Sequence, residues 1–414
     1  MESVRKVNRH GKPKYLYITP FFPSPESWRG GFCLDAAKAL MRDGRFDVIV
    51  LKPEAGPDYS YDGVNVFRFP ILSPPSGILP FLFAGHNSSS FIKKLNKIGI
   101  HPCDVAVCHA HIPTCAPFAI AIKKANPKVV ALWQSHQMGA PFNLRSGSLG
   151  TIPVHTDLLY LFYKALFERM DAIVLLSHLH ERQFGMSFPH GPLGNGIDMR
   201  KECVFGRFFN KIQPKQTIVL YNGIDRSVFN PSGRKSHTGF RIGCIANFGK
   251  TKGQMTLLKA IELLINGKCD HNHQELALEF VGSGETLAEC KQFVTDHNLE
   301  NIVEFKSEVD HLNLPEVYKS YDLFVLPTLQ EGFCCTLVEA AGCGTPIMSC
   351  RGTSIEEVIP EEDKGKWLCD PLDYRGLASL IEKYIKNRWH FRFSQSLDID
   401  LLWGKFLTQV EALR

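Results

Sequence analysis

At 414 residues the chain is long enough for two or three domains, and its 44% apolar and 21% charged residues are the composition of a folded protein in water. A net charge of +5 is too little, with too few periodic aromatics, to argue for nucleic acid; much of it sits in Arg5, Lys6, Arg9, Lys12 and Lys14, a solvated tail or a contact for an anionic membrane. The N-terminus lacks the order of a secretory signal, and the longest apolar stretch, 157–177, is broken by Lys164, Glu168, Arg169 and Asp171, which excludes a spanning helix there.

In chain order, β-branched and aromatic runs alternate with segments of helical length. The first half holds KYLYITP (14–20), FDVIVLKP (46–53), VNVFRFP (64–70), CDVAVCHAH (103–111), KVVALWQSH (128–136), DAIVLLS (171–177) and TIVLYNG (217–223). Several are apolar almost throughout, as strands buried on both faces of a parallel sheet must be. The polar stretch 230–239 is rich in turn residues and marks a break. The rhythm then resumes with FRIGCIANF (240–248), LALEFVGSG (276–284), NIVEFKSEV (301–309), YDLFVLPT (321–328), PIMSC (346–350) and KWLCDP (366–371). Between them, 253–265 and 286–297 space apolar residues three and four apart, as amphipathic helices do. Strand and helix in alternation, twice over, gives an α/β fold of two facing Rossmann-like, doubly wound domains. The expected boundaries are 1–232 for the first domain and 233–397 for the second, with a helix in 398–414 crossing back to the first.

Thirteen cysteines without framework spacing fit reduced thiols, hence a cytoplasmic protein. Two clusters, Cys108/His109/His111/Cys115 and Cys269/His271/His273, lack the paired spacing of a structural zinc site and are read as ordinary structure. Two stretches interrupt the α/β rhythm, 76–100 and 184–214. Both mix aromatic and basic residues and are candidates for contacting an acceptor or a membrane.

The sharpest signal is TLQEGFCCTLVEAAGCGTP at 328–346, directly after the strand YDLFVLP. A strand, a Gly-containing turn and a helix starting near Thr336 aim free backbone N–H groups at the mouth of the sheet, where a diphosphate binds best. Glu331 and Glu339 flank this cradle. Carboxylates repel phosphate but accept hydroxyls, so they read as grips for sugar and ribose.

The E-x7-E of EGFCCTLVE, followed by EAAGCGTPI, resembles the signature of family 4 retaining glycosyltransferases, which have the GT-B fold. Other blocks are similar in the same order: YNGIDRSVFNP (221–231) to P-N-G-[IV]-D-x3-F-x-P, IANFGKTKG (245–253) to V-G-R-L-x3-K-G, FVGSGE (280–285) to V-G-x-G-x and GTSIEEVI (352–359) to G-G-x-x-E-[VI]. Near the start, Gly30 and Gly31 stand where the family has its G-G loop. A second Asn-Gly-Ile-Asp at 195–198 lacks the flanking strand and is set aside.

The resemblance implies transfer of a glycosyl unit from a nucleotide diphosphate sugar to an acceptor hydroxyl with retention, in polysaccharide, glycolipid or other glycoconjugate synthesis. It places Lys252 on the donor diphosphate, Glu331 on the sugar, His136 against the transferred sugar and Glu339 on the ribose. Backbone at Phe333, Cys334, Cys335, Thr336 and Leu337 would hold phosphate oxygens. Ser307 to Val309 would meet the base, and Gly30, Gly31 and Gly282 would allow close backbone approach. With Lys252 present no metal or other cofactor is required, and the acceptor is a glycan, glycolipid or small molecule bound on the first domain. The cytoplasmic location leaves open a peripheral place at the inner membrane surface. Three departures stand out: Asn247 replaces Arg, Cys334 replaces Gly, and Thr353-Ser354 replace Gly-Gly. The alternatives are a GT-B sugar-nucleotide epimerase and a non-catalytic sugar-nucleotide-binding protein.

Overall fold

The computed structural model describes residues 11–27, 29–72, 80–136, 153–183, 199–234, 236–267 and 276–414. The second Asn-Gly-Ile-Asp, the Cys269/His271/His273 cluster, most of the basic tail and much of 184–214 lie outside them.

The first domain runs β1 (Lys14–Ile18), α1 (Gly31–Asp43), β2 (Asp47–Pro53), β3 (Tyr59–Tyr61), β4 (Val64–Phe69), α2 (Pro80–Lys97), β5 (Val105–His111), α3 (Ala116–Ala125), β6 (Val130–Gln134), α4 (Pro153–Phe167), β7 (Ala172–Leu175), α5 (His178–Gln183) and β8 (Thr217–Val219). Its sheet order is β3-β4-β2-β1-β5-β6-β7-β8, parallel except for β3 at the edge. The strand order reverses direction between β1 and β5, so the loops leaving those strands open a crevice at their carboxyl ends. β5 and β6 are buried along their whole length. The histidines of VAVCHAH are therefore interior groups, and His109 Nδ1 lies 2.7 Å from the Tyr15 hydroxyl.

The second domain runs β9 (Phe240–Ile245), α6 (Gln254–Asn266), β10 (Leu276–Val281), α7 (Leu287–Asp296), β11 (Val303–Lys306), α8 (Leu314–Lys319), β12 (Leu323–Val325), α9 (Cys335–Gly342), β13 (Ile347–Cys350), α10 (Lys364–Trp367), β14 (Leu368–Cys369) and α11 (Tyr374–Asn387). Its parallel sheet has the order β11-β10-β9-β12-β13-β14, which puts the switch point between β9 and β12. Both domains are Rossmann-like, and the architecture is GT-B.

The last helix, α12 (Ile399–Glu411), leaves the second domain and packs on α1. Ile399, Trp403, Phe406, Leu407 and Val410 recur at three and four residues and join the core of Tyr15, Tyr17, Leu34 and Val50. Asp398 caps the helix by accepting the N–H of Asp400 at 3.0 Å and of Leu401 at 3.2 Å. Arg45 locks the crossing: it donates to the Gly404 carbonyl at 2.9 Å and pairs with Glu411 at 3.0 Å.

Candidate active site

The second domain builds one wall from the loops that leave β9, β10 and β12. After β9 the chain turns through 246–253 and presents Lys252. Gly253 adopts φ +77°, and a Cβ there would stand 2.1 Å from the Pro327 carbonyl oxygen, so glycine lets this turn lie on the end of β12. Gly282 has φ +143°, with a Cβ position 2.2 Å from the Ala246 oxygen, which fits the β10 loop against the same turn. After β12, residues 328–334 lead into α9, whose N-terminus opens onto an open cleft of ≈ 330 Å³.

Asn247, Lys252, Gly282, Val309, Glu331, Phe333, Cys334, Cys335 and Thr336 line that cleft. Lys252 Nζ donates to Glu331 Oε1 in a close ion pair. Burial would lower the lysine pKa, but the charge and hydrogen bond of Glu331 outweigh it and shift it upward. Lys252 is thus a fixed cation beside the first turn of α9, where the helix dipole also favours an anion. Cys334 has φ −80° and ψ 95°, an ordinary extended conformation, so the backbone here does not demand glycine. Burial, reinforced by the Glu331 charge, pushes its thiol up to about 12, so it stays protonated at neutral pH. Ser307 is exposed and outside the lining, whereas Glu308 lines the cleft, accepts from the Ser283 hydroxyl and pairs with Arg29 at 3.5 Å. Leu337 contributes its side chain to the core, where it is fully buried.

Phe32 and Cys335 also line a small inner cavity of ≈ 20 Å³ between the domains, room for about one water, together with Asp35, Gln134, His136, Asn222 and Glu339. His136 follows β6, and its Nε2 lies 2.9 Å from His111 Nδ1. Enclosure by protein, with the nearby His180, pushes its pKa down to about 3. A neutral imidazole can hydrogen-bond a hydroxyl but cannot serve as a cationic acid near neutral pH. Glu339 accepts the Tyr318 hydroxyl at 2.8 Å, and burial raises its pKa against the pull of His311.

His311, just before α8, pairs with Asp35 of α1 at 3.1 Å, with both side chains less than a tenth exposed. Burial alone would lower the His311 pKa. The hydrogen bond it donates to Asp35, then the charges of Glu339 and Asp35, lift it to about 9. A Cβ on Gly31 would come within 2.4 Å of the His311 ring, and one on Gly30, at φ +97°, within 1.3 Å of the Phe21 oxygen. The room left by these two glycines is therefore filled by protein, and neither borders the cleft. Asn222 bridges the domains too, donating to Cys335 Sγ at 3.1 Å. Glu357 of GTSIEEVI accepts the His178 N–H at 3.0 Å and the Tyr221 hydroxyl at 3.0 Å, capping α5 from the opposite domain.

His311 leaves no sign in the sequence, and the segments of Glu308 and Glu357 are named there without a role for either side chain. Asp35 left a signal, a carboxylate among the buried Cys33, Leu34, Ala36, Ala37 and Leu40 of α1. A charge in an apolar stripe needs a partner.

Residues 225–397 match the Glycosyl transferases group 1 family. Over 87% of this chain and 85% of its own length, the "Uncharacterized glycosyltransferase MJ1607" of Methanocaldococcus jannaschii is 24% identical. Protein CapJ of Staphylococcus aureus is 30% identical over 36% of each chain. The MMP alpha-(1->4)-mannosyltransferase of Mycolicibacterium hassiacum is 26% identical over 42% of this chain, which spans 41% of that relative. In fold, sucrose-phosphate synthase from Thermosynechococcus elongatus superposes with TM-score 0.68 at 16% identity, over 98% of this chain and 100% of that one. Anabaena HepE, in complex with UDP and glucose, superposes with TM-score 0.62 at 16% identity, over 97% and 100%. Together these likenesses support a glycosyltransferase.

The Asp35–His311 pair gives the domain contact a pH dependence. The folded pKa of about 9 exceeds the usual 6.5, so the stabilisation is complete below pH 6.5 and is lost as pH rises through about 9. The stability difference between wild type and Asp35→Asn, from urea melts, should be largest at pH 6 and shrink by pH 9.5. A difference flat across that range would remove His311 as the charged partner.

Proposed function

We propose that this protein transfers a glycosyl unit from a nucleotide diphosphate sugar to an acceptor hydroxyl with retention at the anomeric carbon, without a metal. The observation that carries the reading is Lys252, held by Glu331 at the N-terminus of α9 inside the cleft. Among the described residues lining that cleft it is the one cation. An ammonium and a helix N-terminus meet the charge that builds on a departing diphosphate. Glu331 exchanges its lysine contact for sugar hydroxyls when the phosphate takes up Lys252.

Retention is the course the family resemblance implies, and the engagement of the nearby carboxylates is consistent with a reaction that uses no protein nucleophile. Glu308 is held by Arg29 and Ser283, Glu331 by Lys252, Glu339 by Tyr318 and Asp35 by His311. The thiol of Cys334 is protonated and His136 is neutral. No group among these is poised as a nucleophile. The departing phosphate then takes the acceptor proton on the face it leaves, and the protein's share is positioning, charge stabilisation and exclusion of water. His136, at the small inner cavity that adjoins the cleft, hydrogen-bonds the transferred sugar in this reading, a role that rests on the family resemblance. The UDP of the HepE complex is consistent with a uridine diphosphate sugar as donor.

Acceptors meet the first domain. Val204, Phe205 and Phe208 stand exposed there, with the Arg207 guanidinium 4.6 Å over the Phe208 ring. Apolar tips beside cations suit the cytoplasmic face of an anionic membrane and a lipid-linked acceptor. No helix among the described residues is long and apolar enough to cross a membrane.

With excess chelator present, wild type should retain turnover while Lys252→Ala loses about 10²–10³ of it with little loss of thermal stability. Activity that disappears with chelator, or a Lys252→Ala rate near wild type, overturns the mechanism. Sedimentation with anionic vesicles should pull down the protein at low salt and less at physiological salt. Protein left in the supernatant at both salts means a soluble acceptor.

A further inference from the structure

β5 ends in His111, a fully buried imidazole on a strand in the middle of the sheet, where an apolar side chain is the expected occupant. Centroid to centroid, its ring lies 4.4 Å from Tyr17 and 4.7 Å from His109, and its Nε2 has no hydrogen-bond partner. An orphaned buried nitrogen costs free energy that an apolar ring would not. The next residue adds strain. Ile112 adopts φ +56° and ψ 159°, and it is the one β-branched residue at positive φ among the described residues. Its N–H donates to the Gln134 carbonyl at 3.1 Å, which ties the strained turn to the end of β6.

One contact accounts for both costs. His111 Nδ1 lies 2.9 Å from His136 Nε2, and this is the one side-chain hydrogen bond that either imidazole makes among the described residues. Burial, then the neighbouring His109 and His136, hold the His111 pKa well below its usual value, and burial with His180 does the same for His136. Two neutral rings share one proton across the contact, so each fixes the tautomer of the other. Nε2 of His136 is thereby occupied, and Nδ1 is the nitrogen left for a ligand. The backbone of His136 also meets the turn that carries Glu331. A Cβ on Gly332 would come within 3.3 Å of the His136 carbonyl oxygen.

We propose that His111 is a positioning residue: it holds the His136 ring by Nε2 in one orientation and one tautomer, so that Nδ1 meets a hydroxyl of the transferred sugar beside Glu331. The sugar partner rests on the glycosyl-transfer reading; the state of the His136 ring does not.

His111→Phe removes the contact and puts an apolar ring in its place, whereas His111→Asn keeps an amide that can donate or accept near the position of Nδ1. With a nucleotide sugar that wild type turns over, His111→Phe should lower kcat about tenfold, the loss of one hydrogen bond, with KM within about twofold. His111→Asn should recover most of that kcat. In a His136→Ala background His111→Phe should cost nothing further, because it acts through that ring. Wild-type kcat in His111→Phe, no recovery in His111→Asn, or an equal loss in the His136→Ala background would each overturn the proposal. Nitrogen NMR of the isotope-labelled full chain reads the ring without turnover. Wild-type His136 should show a single tautomer, and His111→Phe a mixture of the two. A mixture already present in wild type, or the same His136 spectrum in both proteins, would overturn it too. If no nucleotide sugar is turned over, the glycosyl-transfer reading fails, and the nitrogen spectra still decide what His111 does to His136.

Discussion

The cleft and the inner cavity lie where the two domains meet, and the most deeply buried ion pair across that meeting is Asp35 with His311. Neither group tolerates burial alone, because an unpaired charge in that setting costs several kcal/mol. Each therefore fixes the other. The pair draws the N-terminal end of α1 onto the segment before α8, and Gly31 permits the approach because its missing side chain leaves room for the imidazole. Phe229 packs against the ring at 5.3 Å, and Glu339 stands near enough to share its charge. Asp35 itself lines the inner cavity with His136, and that cavity meets the outer cleft at Phe32 and Cys335.

Around that contact, the titratable groups are set to be quiet. Burial keeps the thiol of Cys334 protonated and the imidazole of His136 neutral, and it favours the protonated form of Glu339. The exception is Lys252, which remains cationic because Glu331 is beside it. One fixed positive charge at a helix N-terminus, the one cation among the described residues lining the cleft, suits the proposed reaction, whose difficulty is the negative charge on a leaving group. In the proposed reaction, Asn247 in place of the family's arginine leaves more of that burden on Lys252 than a two-cation site would.

The fold was legible because strands of a parallel sheet are covered on both faces, so runs such as VAVCHAH and AIVL are apolar or aromatic without alternation. β3 escaped notice because three residues, Tyr59 to Tyr61, carry no readable period. The second-domain cleft was legible where strand, turn and helix are contiguous, as at 321–342, since local sequence dictates those backbone donors. Pairings across the domains were not. Asp35 and His311 are 276 positions apart, and His178 and Glu357 are 179, so neither spacing nor periodicity connects them. The glycines at 30 and 31 were legible as sites of close approach, though the structure places protein there, the Phe21 backbone and the His311 ring.

The central claim is that Lys252 and the α9 N-terminus receive a nucleotide diphosphate sugar. Thermal melting against UDP-, GDP- and ADP-sugars tests it most directly, because a ligand that binds the folded state at about 100 times its Kd adds about 2.7 kcal/mol of stability. At least one of these sugars should raise the wild-type Tm in a saturable manner, and the shift should vanish in Lys252→Ala. A panel without any shift, or the same shift in wild type and Lys252→Ala, would contradict the account.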